Sequence, residues 1–414
     1  MKEVWNVNRG VDTLVVNAYY LDRQQPVRRE IEEALALQLD AWKRIAQEQR
    51  EPLLTPWVFN GASLQMQPNG AGHGQWPWML KTPDLTLYLS QGKWNGVGAV
   101  RFNSPYLWSC GKLHDALVGV HRFLGEVFGQ EMFLQPSEAH LCADIAGWSE
   151  LASLDRRRHF VSRSRKRGSH FEQEWEADLR VKDFSYGLKA TGFDFSKRGA
   201  LSCTIYDKSR EMRQSGKEWF ADIWRSQGWR EEEDGAVWRV EFKFKRQALH
   251  ELRQEGVFWG IEDAFDLPER LPVLWAYAAG QVKQDGDGEN DEPDGWLRCV
   301  TPTDDQNRAR WPTRPAWKVV QAAFNQGQTL PDGMGKLVRK RHEEHNIEKG
   351  LEAILGYASS LSSWVGGDLA DPDADLSVFL HWLATHGQAY LERKDLDFGT
   401  EVQRKRVKFG LQTA

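Results

Sequence analysis

The first two thirds of the chain alternate between strand-like and helix-like spacing of hydrophobic residues. Residues 10–21 (GVDTLVVNAYYL) are rich in β-branched and aromatic side chains, which predicts a strand. Apolar residues recur at helical spacing over residues 27–49 and again over residues 113–129. The remaining strands are predicted at residues 82–92, 97–109, 138–148, 177–195, 200–208 and 237–246, and a further helix at residues 247–256. Because the strands alternate polar and apolar positions, the pattern predicts an α+β fold with a largely antiparallel sheet flanked by helices.

The pattern changes after Pro272. An acidic, glycine-rich segment over residues 284–295 is a poor core former and predicts a surface loop or linker. Helical periodicity dominates beyond it. The predicted organisation is therefore an α+β domain over residues 1–268, a linker with the acidic loop over residues 269–296, and an all-helical C-terminal domain over residues 297–414.

Composition limits the class of protein. With 41% hydrophobic and 27% charged residues in 414, the chain can bury a large core. No apolar run reaches the roughly 20 residues of a membrane helix, and the N-terminus does not have the order of a secretory signal, so we expect a soluble cytoplasmic protein with no membrane partner. The four cysteines are far apart and form no CxxC pair, which argues against a disulfide framework and a cysteine zinc site.

Basic residues are concentrated in one segment. The net charge of −5 gives no overall attraction to nucleic acid, so phosphate binding would depend on local clusters. Residues 156–167 (RRRHFVSRSRKR) contain seven Arg or Lys and no acid, whereas acids gather at residues 231–234 and 285–294. The candidate DNA-binding residues of this cluster are Arg156, Arg157, Arg158, Arg163, Arg165, Lys166 and Arg167. A solvated surface is the alternative, and the segregation of charge favours a phosphate-contacting arm.

Several common motifs can be excluded. The glycines of GAGHG at residues 70–74 are followed by QWPWML, which is not the start of a phosphate-binding helix. The sequence contains no GxxxxGK[ST], so ATP hydrolysis is not predicted. HEEHN at residues 342–346 matches no metalloprotease motif, and a solvated helix face accounts for it better.

Three short segments carry candidate chemistry. His140, Cys142 and Asp144 share one face of a predicted strand, where a carboxylate among apolar residues is costly unless it is paired or binds a cation. Tyr206 ends an apolar strand and is followed at once by Asp207, Lys208 and Glu211. A third strand presents four polar residues on one face, namely Arg239, Glu241, Lys243 and Lys245. Two carboxylates on separate strands could hold Mg²⁺ or Mn²⁺, and the cations could offset charge on a phosphate.

These segments resemble a protein family. ADIAG around Asp144, SKRGALSCTIYDKSRE around Tyr206 and WRVEFKFKR around Glu241 resemble motifs of the replication initiation factors of Gram-positive rolling-circle plasmids and of the related (MOBT-type) relaxases of integrative conjugative elements. The resemblance covers residues 10–255. It implies a fold of the HUH-endonuclease or Rep type, and a metal-dependent endonuclease that nicks and rejoins one DNA strand through a 5′-phosphotyrosine.

The resemblance also implies roles for individual residues. Tyr206 would be the nucleophile, Asp144 and Glu241 the metal-site carboxylates, and Lys208 and Arg239 phosphate contacts. His140 is a candidate third metal ligand, although a lone strand histidine is more often a hydrogen-bonded core residue. The sequence departs from the family at Cys142, where many relatives have Arg, and at residues 147–148, where Gly-Trp replaces a second acid.

The chemistry expected of Tyr206 is consistent with these roles. A phenol with a pKa of about 10 is a weak nucleophile, so a nearby cation is needed, and Lys208 would lie on the same strand face. Asp207 would point the other way and act as a turn or cap residue, while Tyr186 is the alternative nucleophile. A structural ion pair with Arg239 is the alternative role of the two carboxylates. Lys243 and Lys245 are candidate DNA contacts.

The expected partners follow from the resemblance. They are origin DNA, as a single strand or a hairpin that carries the nick site, a host helicase, and a second copy of the chain. Two other functions stay open. One is a catalytically inactive DNA-binding or copy-control protein of the same fold, and the other is a protein-binding scaffold that uses the tryptophan-rich surface.

Overall fold

The computed structural model describes most of the chain. The described residues are 3–21, 31–72, 75–90, 96–163, 167–169, 185–186, 189–254, 257–281, 295–324, 337–339, 347–371, 373 and 375–408. The strands are β1 (Trp5–Tyr20), β2 (Leu53–Phe59), β3 (Ala62–Met66), β4 (Trp78–Lys81), β5 (Leu85–Leu89), β6 (Gly98–Phe102), β7 (Met132–Ala146), β8 (Phe160–Ser162), β9 (Arg167–Ser169), β10 (Ser185–Tyr186), β11 (Lys189–Ala190), β12 (Gly192–Phe195), β13 (Leu201–Asp207), β14 (Trp238–Lys245), β15 (Leu252–Gln254), β16 (Val257–Phe258), β17 (Leu297–Cys299) and β18 (Leu337–Arg339).

The helices lie between and after these strands. They are α1 (Glu33–Gln49), α2 (Ser104–Ser109), α3 (Leu113–Phe128), α4 (Arg156–His159), α5 (Lys208–Ser215), α6 (Trp219–Ser226), α7 (Glu231–Asp234), α8 (Arg246–His250), α9 (Leu267–Ala279), α10 (Pro315–Ala322), α11 (Ile347–Val365), α12 (Leu376–Arg393) and α13 (Phe398–Lys408). In the described part of the chain, no helix is both long enough and apolar enough to cross a bilayer.

A single large sheet organises the α+β part. Within the described residues it has eleven strands in the order β2-β3-β4-β5-β6-β1-β7-β14-β13-β12-β9, and all of its pairs are antiparallel. The long strands β1 and β7 form its centre. This confirms the predicted α+β fold with a largely antiparallel sheet flanked by helices and a helical C-terminal region.

The two faces of the central strands differ in chemistry. Val240, Phe242 and Phe244 of β14 belong to the main hydrophobic core, where the ring of Phe242 packs edge-on against Trp275 and Trp296. The alternating residues of β14 point to the opposite face, because side chains alternate along a strand. That second face carries the polar residues singled out in the sequence.

The chain divides into two compact units, residues 1–340 and residues 341–414. The boundary differs from the one predicted at residue 297, because β17 pairs with β8 and α10 packs into the main core of the first unit. The start of the predicted linker also differs from the structure. The linker was predicted to begin at residue 269, but that residue belongs to α9, a helix with many buried residues. The acidic residues 282–294 lie outside the described residues.

Local signals explain several elements, and three predicted elements require correction. Helix α3 presents six buried residues at helical spacing, as predicted. Residues 104–109 form a helix rather than a strand, because Pro105 lies at its first turn and Asn103 precedes it. The helix predicted over residues 247–256 stops at His250 and is followed by β15. The helix predicted over residues 27–49 begins at Glu33, and residues 22–30 lie outside the described residues.

Candidate active site

Strand register brings the three predicted segments together on one face of the sheet. Strand β14 lies between β7 and β13, so that Arg239 is opposite Asp144 on one side and Tyr206 on the other. Glu241 is in turn opposite Cys142 and Thr204. Residues that lie opposite one another across antiparallel strands share a face. Candidates far apart in the sequence therefore form one site.

Arg239 is the centre of a buried ion-pair network. Its Nε lies 2.6 Å from Oδ1 of Asp144 and its Nη2 lies 2.9 Å from Oδ2 of the same carboxylate. Its Nη1 donates to Oδ1 of Asp12 at 2.6 Å. The Arg239 side chain is fully buried, so it does not reach a surface where it could contact DNA. We reassign it from phosphate contact to holding these two aspartates in place.

An aromatic layer covers this end of the site. The guanidinium of Arg239 lies over the ring of Phe220, with 4.5 Å between its carbon and the ring centroid, and Lys208 Nζ lies 4.4 Å from the same centroid. Trp224 donates its indole N–H to Oδ2 of Asp144 at 2.9 Å. Both aromatic residues belong to α6, which packs in a second hydrophobic cluster with Met212. Each of these cations is attracted to the electron-rich ring, and the attraction is stronger where water is excluded.

Asp12 belongs to the site although the sequence analysis did not identify it. The register between β1 and β7 shifts between Val11 and Thr13, so Asp12 lies in a β-bulge. Its Oδ1 accepts hydrogen bonds from Arg239 and from Ser104 Oγ at 3.0 Å. Burial acts to raise the pKa of Asp12, but the charge of Arg239 outweighs it and lowers that pKa. The signal in the sequence was the single acid in a strand whose buried positions are mostly apolar.

Gly10 lets the helix after β6 approach this bulge. A Cβ atom at Gly10 would lie 2.7 Å from Cη2 of Trp108. We expect Gly10→Ala to lower the free energy of unfolding by about 1–3 kcal/mol, because the indole ring must shift within a packed site. Urea unfolding followed by circular dichroism measures this.

The matched control is Gly125→Ala in α3, where the nearest atom to the new Cβ is 3.7 Å away. Alanine favours a helix over glycine by about 0.5–1 kcal/mol, so this variant should be neutral or more stable. Equal stability of Gly10→Ala and the wild-type protein would mean that the contact with Trp108 is loose.

Tyr206 is half-buried at the end of β13, and its hydroxyl donates to Oε2 of Glu241 at 3.2 Å. Burial raises the pKa of the Tyr206 phenol well above its ordinary value, and the negative charge of Glu241 raises it further. The phenol therefore holds its proton at neutral pH. The Glu241 carboxylate accepts the hydrogen bond from that hydroxyl.

Glu241 is one end of a chain of charged groups. Its Oε1 lies 3.0 Å from Nδ1 of His140, and Nε2 of the same ring lies 2.6 Å from Oε1 of Glu138. Burial acts to lower the pKa of His140, but its contacts with the two carboxylates outweigh burial and raise it. Burial likewise acts to raise the pKa of Glu241, and the hydrogen bond and charge of His140 reverse this. The carboxylate form of Glu241 is thus stabilised.

The residues after Tyr206 begin a helix. Asp207 caps α5 and accepts the backbone N–H of Arg210 at 3.0 Å, as the sequence predicted. Lys208 is almost fully buried and its Nζ lies 2.5 Å from Oε2 of Glu211. The same Nζ is 5.8 Å from the centroid of the Tyr206 ring. Lys208 is thus near the Tyr206 ring, but it begins α5 and does not share a strand face with Tyr206, because β13 ends at Asp207.

Tyr206 opens onto a cleft of about 470 Å³. The lining includes the acids Asp12, Asp194, Glu211 and Glu241 and the cations Lys197, Arg198, Lys208, Lys217, Lys243 and Lys245. Three of these cations, Lys197, Arg198 and Lys217, were not candidates in the sequence analysis. The first two lie in the SKRG turn that precedes β13, where only the turn signal pointed to them.

The predicted metal ligands do not converge on one point. Both oxygens of Asp144 are taken by Arg239 and Trp224, and both ring nitrogens of His140 contact carboxylates. No group of three or more His, Cys, Asp or Glu side chains in the described part of the chain forms a metal site. The set Asp144, Glu241 and His140 does not fit a divalent cation in this arrangement.

The basic cluster is only partly described. Residues 156–159 form α4, with the side chains of Arg157 and Arg158 exposed and that of Arg156 half-buried, and Arg163 is exposed beyond β8. Arg165 and Lys166 lie outside the described residues. The backbone of Arg167 begins β9, which pairs with β12 at the edge of the large sheet. A DNA-binding role for this cluster stays a prediction.

Tyr186, the alternative nucleophile, lies in β10, and its side chain lies outside the described residues.

Fold and site together define an α+β protein with a tyrosine, a carboxylate and several lysines around one cleft. No family model matches the chain, and no curated protein matches it either. Among solved structures, it is similar to the rolling circle replication initiator protein from Geobacillus stearothermophilus, with 11% sequence identity, 77% of this chain and 97% of that chain covered, and a TM-score of 0.39. A similarity this weak carries no argument about chemistry.

Proposed function

We propose that this chain is a DNA-nicking replication initiator or relaxase, in which Tyr206 cleaves one strand of origin DNA. The observation that carries the proposal is the hydrogen bond from the Tyr206 hydroxyl to Glu241 in a cleft lined by lysines. A titratable pair that several cations surround in a cleft is typical of functional sites. These residues are also among those that resemble the replication initiation factors.

The proposed reaction is a transesterification. The Tyr206 oxygen attacks the phosphorus of one phosphodiester, and a P–O bond to tyrosine forms as the bond from phosphorus to the 3′ oxygen breaks. The phenolic proton passes to Glu241, and the leaving 3′ oxygen takes a proton from solvent. Because one phosphodiester replaces another, the strand can be rejoined without ATP, consistent with the absence of a nucleotide-binding motif. Lys208 next to the ring offsets the developing charge.

A strand-labelling assay tests this proposal. The protein is incubated with single-stranded oligonucleotides of random sequence that carry a label at the 3′ or the 5′ end, and the products are separated on a denaturing gel. Attack by tyrosine on the 5′ phosphate leaves the 3′ label on the protein and releases the 5′ label. Absence of any adduct on single strands and on supercoiled plasmid would favour the non-catalytic alternative.

The need for a divalent cation stays a prediction that the resemblance implies. Because Asp144, Glu241 and His140 do not fit a divalent cation, the proposed transesterification has no metal-dependent step. Parallel assays with Mg²⁺, with Mn²⁺ and with excess EDTA show whether the reaction needs a cation. A host helicase and a second copy of the chain are likewise proposed partners, and native mass spectrometry of the purified protein tests the second.

We expect Glu241→Gln to lower the rate of adduct formation by about 10²–10⁴-fold, because the phenol loses its proton acceptor. Glutamine keeps the size of the side chain, so DNA binding should change little. Single-turnover rates measured with saturating oligonucleotide give the comparison.

The matched control for this variant is Glu262→Gln. Glu262 also pairs with a histidine and an arginine, namely His250 and Arg246, but it does not line the cleft. The rate of adduct formation by Glu262→Gln should stay within a few fold of the wild-type rate. A similar loss in both variants would show that the effect is structural rather than catalytic.

A further inference from the structure

We infer that the cleft continues from Tyr206 to the β12–β13 turn as a track for the backbone of a single DNA strand, held by Lys243, Lys245, Lys197 and Arg198. This inference rests on the proposed function. It adds the direction in which the strand leaves the nucleophile, and it assigns binding to the turn after β12, whose residues Lys197 and Arg198 were not candidates in the sequence analysis.

The spacing of side chains along the track is regular. Tyr206, Thr204 and Ser202 lie on one face of β13, and Lys243 is opposite Ser202 on β14. Side chains two residues apart on a strand are about 6.7 Å apart, which is comparable to the separation of successive phosphates in an extended strand. Hydroxyl groups of Ser and Thr are common phosphate contacts alongside lysine. A phosphate at Tyr206 would therefore have neighbours over Ser202 and Lys243.

The turn is fixed beside the end of the track. The backbone N–H of Lys245 donates to the carbonyl of Ala200 at 2.9 Å, which ties the turn to the last residue of β14. Ser196 and Arg198 have φ angles of 59° and 68°. This left-handed region is unfavourable for residues other than glycine, and such outliers concentrate at functional sites. The sequence thus retains a strained arginine where glycine or asparagine would be easier.

The two sides of the cleft differ in available positive charge. On the α5 side, Lys208 and Lys217 both pair with Glu211, at 2.5 Å and 3.5 Å. On the turn side, Lys197 lies 3.9 Å from Asp194, a longer ion pair than either. Charge that is not already neutralised is the part that attracts phosphate.

Two further cations on the turn side form no short ion pair within the described residues, although Lys245 lies opposite Glu138 across β14 and β7 and its charge lowers the pKa of that carboxyl. Across the described part of the chain, the side chains of Arg198 and Lys245 make no ion pair or hydrogen bond, and both are exposed. Lys243 lies 3.4 Å from Glu241 and is partly exposed. A DNA backbone can therefore bind Arg198 and Lys245 without displacing an ion pair of these two side chains, whereas at Lys243 it would compete with Glu241.

The size of the cleft indicates a single strand. A volume of about 470 Å³ is that of a pocket for a small ligand, which fits a short part of a single strand better than a duplex. Binding of a single strand without base recognition depends on such basic grooves and is strongly salt-dependent.

The test uses fluorescence anisotropy with an oligo(dT) probe of about 20 nucleotides, which exceeds the usual site size of one binding domain. The logarithm of the affinity is plotted against the logarithm of salt concentration for wild type and for Lys197→Ala with Arg198→Ala. We expect the slope to fall by about 1.4, or about 0.7 for each phosphate that the variant no longer neutralises. Both residues are exposed in a turn, so folding should be preserved.

The matched control is Arg44→Ala with Arg122→Ala, two exposed arginines on α1 and α3 that do not line the cleft. A slope that falls equally in both double variants, or in neither, would overturn the inference. Adduct formation is measured on the same proteins. An unchanged slope with normal adduct formation rejects the track alone, whereas a reduced slope in a protein that forms no adduct supports the track and rejects nicking.

Discussion

Tyr206→Phe is expected to abolish the covalent adduct with DNA, with a fall in rate of about 10⁴-fold or more, because the nucleophilic oxygen is removed. The variant loses the hydrogen bond from the hydroxyl to Glu241, while the aromatic ring keeps its shape and its place at the end of β13. Binding of oligonucleotide should therefore persist. The labelled-oligonucleotide gel measures the adduct, and anisotropy measures binding.

Tyr186→Phe is the informative companion to this variant. Tyr186 is the alternative nucleophile, and it lies in β10 outside the large sheet. The Tyr186→Phe variant should form the adduct at the wild-type rate. An adduct that survives in Tyr206→Phe and disappears in Tyr186→Phe would move the catalytic role to β10. Mass spectrometry of the peptide that carries the phosphate identifies the modified tyrosine directly.

Arg239→Ala is expected to have the largest effect on stability, a loss of about 3–5 kcal/mol in the free energy of unfolding. The substitution leaves the carboxylate of Asp144 fully buried without its charged partner, and it also removes the ion pair with Asp12. Removing one member of a buried pair costs more than the pair contributes, because an uncompensated charge remains. Equilibrium urea unfolding of the variant and the wild type gives the difference.

The control is Arg213→Ala, which breaks a pair with Glu231 that is also short, at 2.8 Å and 3.0 Å, but is exposed. Exposed pairs contribute about 0–1 kcal/mol, so little change is expected. Adding Asp144→Asn to Arg239→Ala removes the stranded charge and should restore part of the loss. Two arginine variants of equal stability would mean that water reaches Asp144 once Arg239 is gone.

The local features of the site could be predicted from the sequence. Period-two alternation placed Arg239, Glu241 and Lys243 on one strand face, and β14 has that arrangement. The position of Asp207 between a strand and a charged segment indicated a helix cap, which the structure contains. Such features depend on neighbouring residues, so short-range patterns are sufficient to predict them.

The assignment of partners could not be predicted in the same way. Asp144 was expected to bind a cation and Arg239 to bind phosphate, yet the two pair with each other across 95 positions of sequence. Asp12 joined them only because a bulge in β1 turns its side chain toward Arg239. Which acid neutralises which cation depends on the register between distant strands, and one residue of shift reverses the face.

The amino-acid sequence by itself determined the α+β class, the strands that carry the polar residues, and the tyrosine followed by a charged helix. Only the tertiary structure decided that Glu241 contacts Tyr206, that Arg239 is buried between two aspartates, and that the turn at residues 196–200 lies beside the cleft. The physical reason is that periodicity specifies which face of an element is polar. Strand pairing and close packing specify which polar groups on that face meet.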